Sequence, residues 1–565
     1  MNKFNKMKYK RPDIEKIKIN MQNLLNNFKE AENAQEQVKI IDIINKERGH
    51  IETMMTLSST RHSIDTIDEF YDAENEFFDE NSPQLQAIEH EFYICLNNSK
   101  YKNELKDHYG EHFFNLIEVN LKTFDISIIE DLKEENLLVS KYVKLTSSAQ
   151  IEFKGEKYNL SQMIPFMESR DRRERKESYE AYTGFFNENE SKFDDIYDKL
   201  VKVRDRIAKK LGFENFVQLA YFRLNRTDYT SEDVKKYREQ VYKDLVPLTT
   251  ELRKRQEERL GLEKLKYYDE KINFKDGNAK PKGSPEWILE NGKIMYKELS
   301  KETDEFFQFM NEYNLLDLLA KKGKAPGGYC TFIYDYKAPF IFSNFNGTAD
   351  DIGVLTHEAG HAFQTYSSRD KAVPEYIFPT LEACEIHSMS MEFFTWPWMK
   401  LFFENEELKY KYTHLSDAVL FIPYGVTVDE FQHYVYENPE ATPDERKRKW
   451  REIEKKYLPH RDYEDNDFLN RGGMWFRQMH IFQVPFYYID YTLAQICALQ
   501  FWVRNIENHQ KAWENYVKLC KEGGSKSFTD LLKVANLKNP FIEGSVKEIV
   551  ITVKKWLESV KDGEL

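Results

Sequence analysis

Apolar residues recur three and four positions apart over most of this chain, with charged residues in the intervals, as from Asp194 to Leu211 and from Glu232 to Leu260. That period lays an apolar stripe along a helix, so the pattern predicts a mainly α protein built from amphipathic helices. One stretch departs from it. From Tyr329 to Phe345, Cys, Thr, Phe, Ile and Tyr cluster around Lys337, Ala338 and Pro339, which predicts a short hairpin or small sheet. An exposed edge there could hold an extended peptide through main-chain hydrogen bonds, or the sheet could only brace its neighbours. Asp276 to Gly283 and Asn438 to Pro443 read as surface loops. After the first, Ser284 and Pro285 read as an N-cap and a proline at the first helical position. Length alone would suggest about four domains, but no Gly/Ser/Pro-rich linker divides the chain. One large body with two lobes is expected.

Charge narrows the class. Charged residues make up 32% of the 565, and the formal net charge is -14. This argues against a nucleic-acid binder, which needs a basic surface. The basic runs Arg170 to Lys176 and Arg446 to Arg451 are interleaved with acids or flanked by them, and read as solvated helix faces. No apolar run is long enough to span a membrane. The start, Met1 to Lys10, is basic without a following apolar core, so it is no secretory signal, and the cytoplasm is the expected location. Cys95, Cys330, Cys384, Cys497 and Cys520 are odd in number and lack C-x-x-C spacing, which predicts reduced thiols and argues against a cysteine zinc site.

The most informative chemistry is His357-Glu358-Ala359-Gly360-His361. Two histidines four apart on a helix face one way and can grip one zinc ion, while the Glu beside them can act as a general base. With 13 His in the chain, chance would supply about 0.03 copies of the pattern. Thr348 followed by Asp351 resembles a helix start, Asp350 and Asp351 suit its positive end, and Ile352, Val354, Leu355, Ala359, Ala362 and Phe363 supply a packed face. A hydrolytic zinc needs a third protein ligand and an open position where water is acidified. Leu381 to Phe394, after Pro379, reads as a second helix carrying Glu382, Glu385, His387 and Glu392, and spacing alone does not choose among them. The alternative of a third histidine close behind His361 fails, because Gln364 and Ser367 stand where Gly and His would be needed. A carboxylate from the second helix is favoured. Glu382 and Glu392 are further candidates for orienting a ligand histidine.

These residues resemble the M3 family of zinc oligopeptidases, in particular its oligoendopeptidase F branch. The resemblance is carried by Gly327, Gly328, Tyr329 and Cys330, by Pro339 to Phe342 and Asn344 to Thr348, and by the motif they lead into. In the family's second helix a Glu is followed by Ser three later and Glu seven later. Glu385, Ser388 and Glu392 match, so the resemblance selects Glu385 as third ligand. Ser169 to Arg175, Lys210 to Phe213, Asp429 to His433 and Tyr436 to Pro439 are also similar, so the likeness covers roughly residues 165 to 545. It implies a two-lobed helical metallopeptidase fold with a small β-sheet beside the zinc helix and a deep substrate channel. It also implies an N-terminal helical region over 1–165 and a catalytic region over 166–565, with the zinc site near 348–392 and a substrate-activating segment near 472–495. One Zn2+ per chain would be held by His357, His361 and Glu385, with Gly327, Gly328 and Tyr329 touching substrate.

The chain departs from the thimet-type branch in its substrate-activating segment, His480 to Tyr491. By similarity, a hydrogen-bond donor for the tetrahedral oxyanion lies among His480, Tyr488 and Tyr491, with Tyr491 favoured. The activity this implies is endopeptidase cleavage of short unstructured peptides, with Glu358 as general base. The rivals are a zinc carboxypeptidase or dipeptidase of similar chemistry and a helical peptide-binding protein without turnover. No nucleic-acid or membrane partner is expected.

Overall fold

The apolar spacing resolves into helices in the computed structural model, which describes all residues except 322, 326, 346 and 347. Asp194 to Leu211 falls in the helix Glu190–Lys210, which buries Phe193, Tyr197, Leu200 and Ile207 on one face. Ser284 caps Pro285–Leu299 by accepting the Trp287 N–H. The stretch from Glu232 to Leu260 carries one irregularity: Ser231–Gln240 and Val246–Leu260 are joined by a π-turn over Val241–Leu245. Pro247 has no N–H to donate and crowds the carbonyl one turn back, which widens the ladder there.

Buried side chains form two hydrophobic cores. The smaller joins Met21, Leu25, Phe28, Ile41, Phe92 and Phe113 of the N-terminal helices to Val373 and Tyr376; the larger runs through the rest of the chain. They meet at the segment following Ala349–Ser368. There Glu375 pairs with Arg48 at 2.6 Å and accepts from the Tyr93 hydroxyl at 2.8 Å, while Tyr376 donates to the Tyr109 carbonyl at 2.7 Å. The N-terminal region is thereby attached to the connection between the two helices that carry the candidate ligands.

The hairpin expected from Tyr329 to Phe345 is present. Tyr329–Ile333 and Ala338–Phe345 pair antiparallel, with Ile333 opposite Ala338 and Lys337 in the left-handed region at φ 48°. A third strand, Leu316–Leu319, pairs parallel with Ala338–Phe345 and makes it the centre of the sheet. Four residues with no alternation left no signal of it in the sequence. The central strand is almost wholly buried and points into the helix Ala349–Ser368; Asn346 and Gly347, part of the stretch that carried the family resemblance, lie outside the described residues.

The two basic runs are not solvated faces throughout. Arg175, Arg446 and Lys447 are buried, paired with Asp269 at 2.7 Å, Asp198 at 3.0 Å and Asp194 at 2.9 Å respectively. Their partners come from elements distant in the chain, so the local charge pattern could not reveal them.

The motif helix Ala349–Ser368 and the glutamate helix Leu381–Phe394 cross in backbone contact. A Cβ on Gly360 would lie 2.6 Å from Ser388 Cα and 2.7 Å from the His387 carbonyl oxygen. Since both obstacles are backbone, Gly360→Ala is expected to force the helices apart, at a cost of about 1–3 kcal/mol. The expected outcome is a lower melting temperature together with weaker metal retention, read by thermal denaturation and chelator competition.

Candidate metal and catalytic site

The crossing at Gly360 brings three side chains to one point. His357 and His361 lie one turn apart on the motif helix, and Glu385 reaches them from the glutamate helix; one ligand atom from each lies within 4.8 Å of the others. Glu385 Oε2 is 3.2 Å from His357 Nε2 and 3.6 Å from His361 Nε2. Two imidazole nitrogens and a carboxylate oxygen are the donor set of a catalytic zinc site.

Hydrogen bonding prepares His357 for a cation. Trp396 Nε1–H donates to His414 Nδ1 at 3.0 Å, so His414 carries its proton on Nε2 and donates it to Glu392 Oε2 at 2.7 Å. The other oxygen of Glu392 accepts from His357 Nδ1 at 2.7 Å. Nε2 is therefore the His357 nitrogen that faces Glu385 and His361, and it offers a lone pair when a metal ion takes the place of its proton. Among the acids on the glutamate helix, Glu392 is thus the one that orients a histidine. Glu382 is fully buried near Arg226 and Asp490, and burial pushes its carboxyl up to about 7 despite Arg226. Nothing in the local sequence marks His414, because it lies on another helix, Glu407–Glu437.

The electrostatics favour a positive occupant. Burial opposes charge on His357, but hydrogen bonds to Glu385 and Glu392 outweigh it and hold its imidazolium well above the usual histidine range. Burial likewise raises Glu385 and Glu392, yet the histidines hold Glu385 well below the usual carboxylate range and bring Glu392 down to about 2. Acids and bases that stabilise a shared proton this strongly would stabilise a divalent cation at the same point.

The remaining residues line one face. Glu358 is half-buried and makes no hydrogen bond among the described residues, and its charge is felt by both the Cys330 thiol and the Tyr491 hydroxyl. Tyr488–Glu507 is helical, and His480, Tyr488 and Tyr491 together line a cavity of about 360 Å3 with Glu392 and His414. The Tyr424 hydroxyl donates to Gln478 Oε1 at 2.9 Å, so the Gln478 amide donates to His480 Nδ1 at 2.8 Å. His480 therefore carries its proton on Nε2 and is a neutral donor; burial lowers its pKa further than Glu385 raises it.

Tyr487 was not singled out by any sequence pattern. Its hydroxyl donates to Glu385 Oε1 at 2.8 Å, and its ring lies 4.8 Å from that of Tyr491. Ser388 donates to the other oxygen of Glu385 at 3.1 Å. Gly327, in the left-handed region at φ 93°, and Gly328 are exposed; a Cβ on Gly328 would touch Ser343 and Val354 of the motif helix. The Tyr329 ring stacks on Phe342 at 4.9 Å, and its hydroxyl faces Thr60 and Ser63. Cys384 is a buried thiol beside the Pro379 carbonyl, and His387 is buried against Tyr516.

Known proteins match this arrangement along most of the chain. The model of peptidase family M3 matches residues 165–551, and that of the peptidase M3 N-terminal domain matches 4–124, upstream of the stretch where the sequence resemblance lay. A structure of Pz peptidase A with an inhibitor is 58% identical, with a TM-score of 0.95 over 99% of this chain and 100% of that one. One described as an oligoendopeptidase F from Bacillus anthracis is 56% identical, with a TM-score of 0.91 over the whole of both chains. An oligoendopeptidase F homolog from Borreliella burgdorferi is 25% identical over 70% of this chain and 67% of its own length. The resemblance read from the sequence is borne out: the chain belongs to peptidase family M3 and is a metallopeptidase.

Proposed function

We propose that this protein is a zinc-dependent endopeptidase that hydrolyses internal bonds of short, unstructured peptides. The observation that carries the proposal is the convergence of His357 Nε2, His361 Nε2 and Glu385 Oε2 beside an uncommitted Glu358. His357, His361 and Glu385 would hold one Zn2+, which when bound polarises the scissile carbonyl and acidifies water. Glu358 takes the proton of the attacking water and passes it to the leaving amine. Tyr491, with His480 and Tyr488 as neighbours, donates to the oxyanion of the tetrahedral intermediate. Tyr487 holds Glu385 in place through its own hydroxyl.

Restriction to short peptides is supported by the names of the relatives, which are called oligopeptidases and oligoendopeptidases. Gly327, Gly328 and Tyr329 form the rim that meets the peptide backbone. Residues 1–165 are taken as the N-terminal helical region and 166–565 as the catalytic region; the smaller core lies largely in the first, while the larger spans both, taking Leu57, Phe78 and Tyr142 from it. A cytoplasmic setting belongs to the same proposal and suits the five free thiols. Among the described residues no helix is long and apolar enough to cross a membrane.

A peptide of about ten residues blocked at both ends separates this function from its rivals, since exopeptidases read terminal charges. Wild type is expected to cut it internally, seen by mass spectrometry, and Glu358→Gln to cut it about 10²–10⁴-fold more slowly with zinc retained. Zinc-loaded wild type that leaves it intact would move the assignment to a carboxypeptidase, a dipeptidase or a binding protein. Glu392→Ala is expected to weaken zinc binding about 10–100-fold in chelator competition, because His357 loses the partner that sets its tautomer. The two tyrosines should separate by readout. Tyr491→Phe lowers kcat about 10²–10³-fold at full zinc occupancy, whereas Tyr487→Phe acts mainly on zinc affinity.

A further inference from the structure

Arg477 ends the short turn Gly473–Arg477 that leads into the helix carrying His480. The turn is locked at its start. Gly472 sits at φ 99°, and a Cβ there would lie 2.0 Å from the Lys447 carbonyl oxygen. The guanidinium of Arg477 is half-buried and faces the hydroxyls of Tyr424, Tyr182 and Tyr179, with Tyr488 also within its field. Burial raises the pKa of these phenols, so they are neutral and can only donate or accept hydrogen bonds.

Among the described residues no carboxylate pairs with Arg477. Half-buried Arg61, Arg369 and Arg504 likewise have no ion pair among the described residues, but every fully buried arginine has an acid. Arg204 pairs with Glu135 at 2.6 Å, Arg226 with Asp490 at 2.5 Å, Arg238 with Asp429 at 2.5 Å and Arg446 with Asp198 at 3.0 Å. Neighbouring Arg461 is met by Glu270 at 2.7 Å and Glu454 at 3.2 Å. Removing a cation from bulk water without a counter-ion is costly, and with acids exceeding bases by 14 a partner was available in composition. The position also connects to the site. Tyr424 packs edge-on to Tyr488 at 5.9 Å, and Tyr488 lines the cavity beside His480 and Tyr491.

We propose that Arg477 binds a carboxylate of the peptide substrate, so that the substrate supplies the counter-ion the protein withholds. This rests on the endopeptidase function proposed above and deepens it to a substrate class: peptides with a carboxylate at a set distance from the scissile bond. The planar guanidinium offers a fork of donors that matches a carboxylate, and the hydroxyl of Tyr182 adds a donor from the side. The carboxylate is either the peptide's C-terminus or an Asp or Glu side chain near it.

Three N-acetylated peptides of one sequence test this: a C-terminal acid, its amide, and the amide with Asp as last residue. Wild type is expected to favour the acid over the amide by about 10–100-fold in kcat/KM, mostly through KM, as loss of a charge-assisted hydrogen bond would give. Arg477→Gln should bring that ratio close to one, and Arg477→Lys should keep a reduced preference. Cleavage of the Asp amide like the acid would assign the site to any carboxylate at that position; cleavage like the plain amide would assign it to the C-terminus. Equal cleavage of acid and amide by wild type, or a preference that survives Arg477→Gln, overturns the proposal. A merely structural arginine would slow all three peptides alike and leave their ratio unchanged, which also overturns it. Calorimetry of the same peptides on Glu358→Gln, with and without Arg477→Gln, reads the recognition without turnover. The acid should bind more tightly only where Arg477 is present. Wild type that cleaves none of the three would overturn the endopeptidase function, while calorimetry still decides Arg477.

Discussion

Everything at the site depends on how closely two helices approach. Glu385 Oε2 can lie near both His357 Nε2 and His361 Nε2 only if the glutamate helix runs against the motif helix, and Gly360 lets the Ser388 backbone take the space of a side chain. The consequence is severe burial. Leu381–Phe394 lies between the motif helix and the helix Tyr488–Glu507, and Glu382, Glu385, His387, Ser388 and Ser390 are all buried on it. Polar groups so placed cost free energy unless something meets them; Glu385 is met by Tyr487 and Ser388, whereas the side-chain polar atoms of Glu382, His387 and Ser390 have no hydrogen-bond partner among the described residues.

Proton positions follow from that packing. The chain Trp396, His414, Glu392 begins at an indole, which can only donate, and ends on a carboxylate that accepts from His414 on one oxygen and from His357 on the other. A second chain from the Tyr424 hydroxyl through Gln478 sets His480 in the same way. The first leaves His357 Nε2 to meet a cation and the second aims an N–H toward the site. Neither imidazole has to reorient when a substrate enters, and preorganisation of this kind is where electrostatic catalysis gains most.

The tyrosine segment is held by a third device. Phe486 adopts φ 66°, a conformation that costs a residue with a side chain of order 1–3 kcal/mol. Its carbonyl accepts from Arg226 at 2.7 Å and its N–H donates to Gln432 at 3.0 Å, while Arg226 is anchored by Asp490 at 2.5 Å. The strained turn delivers Tyr487 to Glu385 and starts the helix that carries Tyr488 and Tyr491. Arg226 and Gln432 lie far upstream in the chain, so the backbone next to the site is shaped by side chains that do not themselves line it.

How much was legible in the sequence follows the range of each interaction. Local periodicity and capping determined the helices, including Leu381–Phe394 and Ala349–Ser368, because a helix needs only its own neighbours to declare its face and its start. The histidine pair with its intervening Glu358 is equally local, since one helical turn sets its geometry. Glu385 was one of four candidates by spacing, and a family likeness was needed to select it. Tertiary structure alone decided that Glu392 orients His357 through His414, that Tyr487 braces Glu385, that Arg175 and Arg446 are buried in ion pairs, and that Arg477 has no acid. Each of these is a contact between elements far apart in the chain, and a one-dimensional pattern of residue types carries no information about which distant side chains the fold will bring within a few ångströms.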